Sequence, residues 1–532
     1  MEPAKRMLLS GNEAVAWACL DAGVKLGTGY PGTPSTEILE NFSEIGGRAQ
    51  WAPNEKVALE VGLGSAFADA RTLVTMKHVG VNVAADPLFT AAYTGVTGGL
   101  VLVSADDPGM ASSQNEQDNR RYAIAAGVPL LEPSDSQEAY DFAAAALELS
   151  EKFGTLVILR LTTRICHSKT IVNRREFQTP DHEAHIERDV HQRVMIPAFA
   201  RGAHKKMRSR LADIAEWNES SDLNKVIEGE KSLGIIANGI SYVHAAEAAP
   251  NASFLKLAMT HPLPMDKIRT FVDSVDRCVV IEEGDPVLVE ALRADGLDVE
   301  GKDEMYRFGE LNVSRVQRIL AGDSSEEPTA PKGKPPALCQ GCPHRRAFEI
   351  LNQLGCIVTG DIGCYTLGVL PPFNAMDTCV CMGASIGVGL GLRHVLPDEQ
   401  ARKVVSVIGD STFMHSGLTG LVEMAYNPPK TGHVVVVLDN STTAMTGMQE
   451  HPGTGRALDH TPAYQVMIED IATASGVHNV HVLDVVKDPG AFETILSEAL
   501  EKSELTLIVA RRPCILAAAK IAQYQKVNQA NN

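Results

Sequence analysis

Residues 404–447, VVSVIGDSTFMHSGLTGLVEMAYNPPKTGHVVVVLDNSTTAMTG, contain two runs of β-branched residues, VVSVI and VVVVL. Such runs predict buried strands, and the helical spacing between them predicts a strand, helix, parallel strand unit. Asp410 follows the first strand and Asn440 the second, so both are expected at the sheet edge where ligands bind. Gly409 would let backbone approach a phosphate, and Mg²⁺ prefers carboxylate, amide, carbonyl and phosphate oxygens. The stretch predicts a metal-bound diphosphate, although an ordinary βαβ unit with a capping Asp and a turn Asn has the same pattern.

The spacing of these residues resembles the thiamine diphosphate signature, in which GD(G/S) is followed further along the chain by an Asn. On that resemblance, Asp410, Asn440 and the backbone carbonyl of Thr442 would hold Mg²⁺, and Gly409 and Ser411 would bind the cofactor. Gly383 lies in the small-residue run CMGASIGVGLGL. It suits a helix that packs closely against the cofactor, or equally one that packs against the sheet.

Composition limits the possible classes of protein. The chain has 532 residues, too many for one core, and should divide into about three or four domains. No run approaches the ~20 apolar residues of a membrane span and the N-terminus lacks a secretory apolar core, so we expect a cytoplasmic protein. A net charge of −18 argues against a nucleic-acid-binding surface. Ten unevenly spaced cysteines indicate free thiols or ligands, not a disulfide framework.

The alternation of short apolar strands with helices predicts an α/β fold with several doubly wound parallel-sheet domains. We expect a first domain at 1–205 that ends in a polar connecting arm, and a middle α/β domain at 206–321. The Pro/Ser/Glu-rich stretch GDSSEEPTAPKGKPP at 322–336 predicts a linker. The last domain then spans 337–532.

A glutamate in the first domain fits a second thiamine motif. Enzymes that use thiamine carry, in the domain that binds the pyrimidine ring, a Glu followed by an Ala and then a Gly. Glu55, Ala58 and Gly64 resemble that pattern. The resemblance implies that Glu55 hydrogen-bonds the aminopyrimidine and assists loss of the thiazolium C2 proton, which requires a desolvated carboxyl. A lone Glu early in a helix is otherwise a solvated charge.

Four cysteines form a constellation in the last domain. Cys339 and Cys342 make one CxxC, Cys364 follows a Gly-rich turn, and Cys514 follows the last predicted strand. Four cysteines can bind zinc or a [4Fe–4S] cluster, and free structural thiols are a third interpretation. CQGCPH, DIGCYTLG and ARRPC resemble, in order and domain position, the cluster ligands of 2-oxoacid:ferredoxin oxidoreductases. That resemblance favours a [4Fe–4S] cluster, and it favours packing thiols over ligands for Cys379 and Cys381.

Further motifs extend the resemblance over nearly the whole chain. They are GYPGTPST, PNEKVALEVG, KHVGVN, DDPGMASSQNEQDNR, LCQGCPHR, DIGCYTLG, GDSTFMHSG and DNSTTAMTG. Together they resemble the large subunit of indolepyruvate:ferredoxin oxidoreductase, which implies transketolase-like thiamine-binding domains. The implied reaction is oxidative decarboxylation of an aryl 2-oxoacid to its acyl-coenzyme A, with electrons passing through the cluster to ferredoxin or another acceptor.

The same resemblance implies partners. A smaller beta subunit is expected, in a hetero-oligomer that contains a dimer of this chain, with coenzyme A as co-substrate. Family members commonly continue with a ferredoxin-like domain bearing CxxCxxCxxxCP. This chain ends at Asn532 without that motif, so the sequence leaves the electron acceptor open.

Substrate contacts follow the family only in part. Thr33, in GYPGTPST, matches a threonine that contacts the substrate oxygen in the related pyruvate enzymes. Those enzymes hold the substrate carboxylate with an arginine in the region where this chain has Asp106 and Asp107. We therefore expect Lys77 or His78 to take that role.

Two alternatives remain at the level of sequence. One is a non-oxidative thiamine-dependent decarboxylase or carboligase, which releases no electrons. The other is a catalytically silent subunit that keeps the fold. The presence of Glu55, Asp410 and Asn440 argues against the silent subunit, because degenerate subunits tend to lose the acid.

Overall fold

The structure is a computed structural model that describes residues 6–327 and 336–530. The chain forms two compact units, Met1–Pro328 and Thr329–Asn532. The division falls inside 322–336, where the sequence predicts a linker, and residues 328–335 of that linker lie outside the described residues. Over the described ranges, no helix is both long and apolar enough to cross a membrane.

The first unit contains thirteen strands in its described part. They are Arg6–Ser10 (β1), Leu26–Gly29 (β2), Ala49–Trp51 (β3), Thr72–Lys77 (β4), Leu100–Asp106 (β5), Leu130–Leu131 (β6), Val157–Thr162 (β7), Lys169–Asn173 (β8), Lys225–Ile227 (β9), Glu230–Asn238 (β10), Ala252–Leu257 (β11), Met259–His261 (β12) and Cys278–Ile281 (β13). The helices are Gly11–Asp21 (α1), Thr36–Glu44 (α2), Glu55–Phe67 (α3), His78–Val83 (α4), Ala85–Thr94 (α5), Arg120–Ala126 (α6), Ser136–Phe153 (α7), Thr163–His167 (α8), Val190–Arg193 (α9), Pro197–Ser220 (α10), Gly239–Ala248 (α11), Met265–Asp273 (α12), Val287–Ala294 (α13) and Val313–Leu320 (α14).

Three sheets organise the described part of this unit. A seven-stranded sheet has the order β12-β6-β7-β5-β4-β2-β3 and is parallel except for its edge strand β12. A four-stranded sheet, β13-β10-β11-β9, is parallel except for its edge strand β9, and β1 pairs with β8 antiparallel. Antiparallel edge strands are common on otherwise parallel sheets. Strand β12 comes from the segment predicted as the middle domain, so that segment completes the sheet of the first one.

The second unit carries a single six-stranded sheet in its described part. Its strands are Ile357–Gly360 (β14), Thr378–Cys379 (β15), Val404–Gly409 (β16), His433–Asp439 (β17), Asn479–Leu483 (β18) and Leu505–Arg511 (β19). Its helices are His344–Gln353 (α15), Ala384–Val395 (α16), Asp398–Arg402 (α17), Asp410–Thr412 (α18), Leu418–Tyr426 (α19), Ile468–Ala474 (α20), Pro489–Glu501 (α21) and Ala518–Ala530 (α22).

Helices cover both faces of this sheet, which explains why its strands are apolar on both sides. The strand order is β15-β14-β16-β17-β19-β18, and every pairing is parallel. Val434 and Val436 of β17 pack with α15 and α21, while Val435 and Val437 pack with α16, α19 and α20. A doubly wound sheet requires this arrangement, so the predicted α/β, parallel-sheet fold class is confirmed.

Candidate active site

The sheet of the second unit brings the two predicted metal ligands together. Strands β16 and β17 are neighbours, with Gly409 paired to Leu438, so the residues that follow them share one edge. The backbone N–H of Ser441 donates a 2.8 Å hydrogen bond to Oδ2 of Asp410. Asp410 and Asn440 are both buried, at 3% and 7% exposure. Parallel pairing, not proximity in sequence, places them side by side.

A histidine holds the Asp410 carboxylate. His451 Nε2 lies 3.2 Å from Asp410 Oδ2, and both side chains are buried. The N–H of Gly453 donates to His451 Nδ1, so Nε2 is the ring nitrogen that carries the proton and donates to Asp410. Burial raises the pKa of Asp410, but His451 outweighs it and holds the pKa below its usual range. Asp410 therefore stays anionic, as the predicted role of metal ligand requires.

Asn440 is fixed from three sides. Its Oδ1 accepts a 3.2 Å bond from the Thr442 N–H, and its Nδ2 donates to His344 Nε2 at 3.3 Å. Its backbone carbonyl accepts a 2.9 Å bond from the N–H of Cys514. Because Oδ1 has a second lone pair, the amide is held while one acceptor position stays available for a cation.

Close packing leaves no room for a side chain at two of the positions predicted to bind the cofactor. A Cβ at Gly409 would lie 2.5 Å from the Tyr365 ring. Gly383 has a φ of +86°, and a Cβ there would lie 2.4 Å from Ser416. The Gly383 N–H donates a 2.8 Å bond to Asp361, so this amide already has a partner within the protein.

The remaining predicted cofactor residues lie at the same edge. The Ser411 hydroxyl is 2.7 Å from that of Thr443, and Thr442 is buried with its hydroxyl donating to Gln449. A π-helical turn, Phe413–Gly417, follows α18, and such turns are frequent at functional sites. A carboxylate, an amide oxygen and hydroxyl and carbonyl oxygens make a donor set that suits Mg²⁺.

All four predicted cysteine ligands line one cavity of about 90 Å³. The lining also includes His344 and Asn440, so this cavity adjoins one of the predicted metal ligands. Burial raises the pKa of the Cys342 thiol, and it raises that of Cys364 to about 11, with the charges of the neighbouring cysteines adding to the effect. These two thiols would become thiolates only when a positively charged group replaces their protons.

The thiols surround a space and do not converge on one point. Across residues 6–327 and 336–530, no group of three or more His, Cys, Asp or Glu side chains is arranged to hold a single metal ion. The donor set, four cysteines around one cavity, fits the ligand chemistry of an iron–sulfur cluster. Cys379 and Cys381 lie exposed outside this lining, so the prediction that they are packing thiols is wrong.

Glu55 lies in the first unit, at the start of α3. Asn54 caps this helix by accepting a 3.0 Å bond from the Val57 N–H, and Glu55 is only 4% exposed. A Cβ at Gly80 would lie 2.6 Å from Glu55 Oε1, which explains why the motif KHVGVN needs glycine at that position. The fold gives Glu55 the desolvated position that the thiamine motif requires.

Lys77 is the predicted substrate residue that lies near Glu55. Burial lowers the pKa of Lys77 to about 8, while the charges of Asp107 and Glu55 act to raise it. Its Nζ donates a 2.8 Å bond to the carbonyl of Ser112. Thr33 lies in the adjoining turn, because a Cβ at the preceding residue, Gly32, would come within 3.2 Å of the Lys77 side chain.

His78 lies deeper than Lys77. It is fully buried, and its Nε2 is 3.1 Å from the carbonyl of Asn115. Its backbone carbonyl accepts bonds from Asn119 and Gln117, so His78 belongs to an amide network behind the strand end. Of the two predicted candidates for the carboxylate, Lys77 therefore has the better placement.

Asp106 and Asp107, in the region where an arginine was expected, have structural partners. Asp106 is ion-paired to Arg160 at 2.7 Å. Asp107 accepts from the Ser112 N–H and from two hydroxyls, and these bonds keep its pKa below the usual range although burial raises it. Asp107 thus folds the loop whose Ser112 carbonyl contacts Lys77.

Sequence reasoning missed two histidines, His344 and His451. Each is bonded to a predicted metal ligand from a distant part of the chain. His344 could have been noticed because it stands two residues after Cys342 in CQGCPH. His451, in QEHPGTG, carries no spacing signal that connects it to Asp410.

Comparisons with known proteins agree with this geometry. A family profile described as "Thiamine pyrophosphate enzyme, C-terminal TPP binding domain" matches residues 361–510. Another, "Pyruvate flavodoxin/ferredoxin oxidoreductase, thiamine diP-bdg", matches residues 17–207. The 2-oxoglutarate:ferredoxin oxidoreductase from Magnetococcus marinus, solved with 2-oxoglutarate, coenzyme A and succinyl-CoA, has a similar fold. It shares 16% identity at a TM-score of 0.52, over 61% of this chain and 66% of that one.

Curated relatives extend over almost the whole chain. Indolepyruvate oxidoreductase subunit IorA of Archaeoglobus fulgidus is 41% identical, over 96% of this chain and 87% of its own length. The IorA subunit of Pyrococcus abyssi is 39% identical, over 97% and 86%. The 2-oxoglutarate synthase subunit KorA of Archaeoglobus fulgidus is 24% identical over 59% of this chain. The chain therefore belongs to the family of indolepyruvate oxidoreductase subunit IorA, and it is a subunit of a thiamine diphosphate-dependent 2-oxoacid oxidoreductase.

Proposed function

We propose that this chain is the large subunit of an enzyme that oxidatively decarboxylates an aryl 2-oxoacid of the indolepyruvate type. One observation carries the proposal: the similarity to IorA subunits is full-length, whereas that to KorA is weaker and partial. Per turnover, the 2-oxoacid and coenzyme A would yield acyl-coenzyme A, CO₂, a proton and two electrons. Ferredoxin or another one-electron acceptor would take up the electrons.

The thiamine diphosphate would be held through Mg²⁺ by Asp410, Asn440 and Thr442. When bound, the cofactor supplies a nucleophilic carbon and an electron sink for decarboxylation. Glu55, desolvated at the start of α3, would donate a hydrogen bond to the pyrimidine ring. We infer that the two cofactor-binding units act together within a dimer of this chain.

Lys77 would hold the substrate carboxylate, with Thr33 near the oxo oxygen. Burial strengthens a charge-assisted hydrogen bond, so a half-buried ammonium suits a carboxylate better than an exposed one would. One N–H of the Lys77 ammonium donates to the Ser112 carbonyl, and its other two can donate to the substrate. His78 stays in its amide network and supports the strand end.

The cysteine cavity would hold a [4Fe–4S] cluster through Cys339, Cys342, Cys364 and Cys514. Its lining includes Asn440, which supports an electron acceptor next to the proposed diphosphate site. Removal of one electron at a time requires such a neighbour. A smaller beta subunit would complete the hetero-oligomer, and a cytoplasmic location, where thiols stay reduced, suits ten free cysteines.

An anaerobic assay tests the whole proposal. The chain, co-expressed with its partner, is supplied with aryl and alkyl 2-oxoacids, with and without coenzyme A and a viologen dye. We expect aryl substrates to reduce the dye only when coenzyme A is present, and iron, sulfide and an EPR signal to accompany activity. CO₂ release without iron would instead support the non-oxidative decarboxylase.

A matched pair of variants tests the role of Glu55. Glu55→Gln keeps the size of the side chain but removes the carboxyl, and we expect turnover to fall by about 10² to 10⁴. Glu60→Gln, on the same helix, changes an exposed partner of Lys56 and should leave turnover unchanged. Undiminished turnover in Glu55→Gln would overturn the mechanism.

A further inference from the structure

The metal ligand Asn440 is bonded to two separate cysteine segments. The segment that carries Cys339 and Cys342 reaches it through His344, whose Nε2 lies 3.3 Å from Asn440 Nδ2. The segment that carries Cys514 reaches it through a 2.9 Å bond from the Cys514 N–H to the Asn440 carbonyl. The cysteine cavity and the metal ligand therefore share one hydrogen-bonded frame.

The orientation of the Asn440 amide and the His344 ring follows from the backbone N–H of Thr442. The Thr442 N–H can only donate, so the atom of Asn440 that faces it must be Oδ1. The amide Nδ2 then faces His344, and because it can only donate, His344 Nε2 must accept. His344 thus holds the Asn440 amide in the orientation that leaves Oδ1 available for a metal ion.

His344 also contacts the cysteine-bearing segments directly. Its backbone N–H is hydrogen-bonded to the Cys342 thiol, and its ring packs edge-on against Tyr365 with centroids 6.2 Å apart. The Tyr365 hydroxyl donates to the Ile362 carbonyl, which also accepts from Thr412, two residues after Asp410. The segment that carries Cys364 is thereby tied to the metal loop as well.

We propose that His344 is a positioning residue that orients Asn440 for Mg²⁺ and couples the occupancy of the cysteine cavity to metal binding. The inference rests on the proposed function, in which Asn440 and Asp410 bind the metal. Outer partners that orient a metal ligand commonly change affinity by about 10- to 100-fold. Because linkage is reciprocal, a filled cysteine cavity should strengthen Mg²⁺ binding, and Mg²⁺ should stabilise the filled cavity by the same factor.

The test measures Mg²⁺ binding by calorimetry on the anaerobic full-length chain at saturating thiamine diphosphate. We expect His344→Leu to weaken Mg²⁺ affinity by about 10- to 100-fold, and His344→Gln, whose Oε1 can accept the same bond, to stay within about threefold. His344→Asn is polar but one methylene too short, and it should resemble His344→Leu. It replaces the leucine variant if that one fails to fold.

His433→Gln is the matched control. His433 is equally buried, and it bonds Ser406 near the opposite end of β17, away from the metal ligands. Mg²⁺ affinity should be unchanged in this variant. If His344→Leu stays within twofold of the wild type, or if His344→Gln is as weak as His344→Leu, the positioning role is overturned.

The coupling is tested with the double variant Cys339→Ser/Cys342→Ser. Loss of these ligands should weaken Mg²⁺ binding in the wild type but add little in His344→Leu. Fully additive losses would overturn the coupling. Asp410→Asn distinguishes a failure of the proposed function from a failure of the role given to His344. If Asp410→Asn binds Mg²⁺ normally, the proposed function fails. If it loses Mg²⁺ while His344→Leu does not, only the present inference fails.

Discussion

Each unit buries a cluster of acidic side chains at the carboxyl ends of its parallel strands, and the two clusters are held differently. In the first unit, Asp106, Asp118, Glu132 and Glu282 are each bonded to the guanidinium of Arg120 or Arg160. We call this set the arginine network. In the second unit, the Asp410 carboxylate meets His451 and a backbone N–H instead.

The difference indicates what each cluster is for. A guanidinium keeps its proton at any physiological pH and forms a rigid fork, so the carboxylates of the arginine network already have permanent cationic partners. Asp410 is oriented by groups that leave its negative charge largely uncompensated, which suits a site proposed to bind Mg²⁺. In the second unit, Arg511 pairs with Asp439, the neighbour of Asn440, and leaves Asp410 to His451.

The largest effect is expected from breaking the arginine network. Arg120→Met should lower the free energy of unfolding of the first unit by about 3–5 kcal/mol, because Asp118 and Glu282 would be left buried without their partner. Urea unfolding followed by circular dichroism measures it. Arg121→Met is the matched control: Arg121 is 48% exposed, so its pairs with Asp285 and Glu290 should contribute less than about 1 kcal/mol. Equal losses in the two variants would contradict the comparison.

Glu283 is the exception within the first unit, and it predicts a pH dependence. Burial raises the pKa of Glu283 to about 7, and its Oε2 has no hydrogen-bond partner among the described residues. The folded protein therefore keeps a proton that the unfolded chain, with a pKa near 4.5, releases. The resulting stability is fully present below pH 4.5 and is lost as the pH rises through 7.

Glu283→Gln should remove this dependence. At pH 8 the variant should be more stable than the wild type by on the order of 3 kcal/mol, and the difference should close towards pH 4.5. Glu290→Gln, at an exposed position, is the control. Denaturant titrations across this pH range measure both, and a difference that does not vary with pH would show that Glu283 is not the titrating group.

A smaller effect is expected from removing the hydrogen bond between His451 and Asp410 in the second unit. His451→Leu removes the donor to Asp410 and should weaken Mg²⁺ affinity by about 10- to 100-fold. His451→Gln, whose amide can still donate, should retain most of the affinity. The measurement is a Mg²⁺ titration of thiamine diphosphate binding. Equal behaviour of the two variants would mean that packing, and not the hydrogen bond, determines the effect.

The smallest effect concerns Lys77, a cation of the first unit that, unlike the guanidinium groups of the arginine network, can lose its proton. Its pKa of about 8 predicts that kcat/KM for the 2-oxoacid falls about tenfold per pH unit above that value, as the ammonium loses its proton. Lys77→Arg should move the decline to higher pH. An unchanged profile in that variant would assign the decline to another group.

Local sequence patterns predicted the parallel-sheet fold but not all of its edges. The runs VVSVI and VVVVL became β16 and β17, because a strand buried on both faces must be apolar throughout. The apolar residues of MLLS do not indicate where they pair, and Arg6–Ser10 is a strand that pairs with β8. Ser10 and Glu13 form a capping box that starts α1 only after it. Pairing with a partner more than 150 residues away leaves no trace in local periodicity.

The sequence by itself indicated a metal-bound diphosphate, because the residues proposed to hold the metal stand directly after two strands. The resemblance to the thiamine signature indicated the cofactor class. The tertiary structure alone decided how these ligands are oriented. His344 lies 96 positions from Asn440, and His451 lies 41 from Asp410. Only the folded chain brings each pair within hydrogen-bonding distance. The ends of strands can be recognised from local sequence. The residues that orient a ligand are distant in sequence and reach the same sheet edge only through tertiary folding.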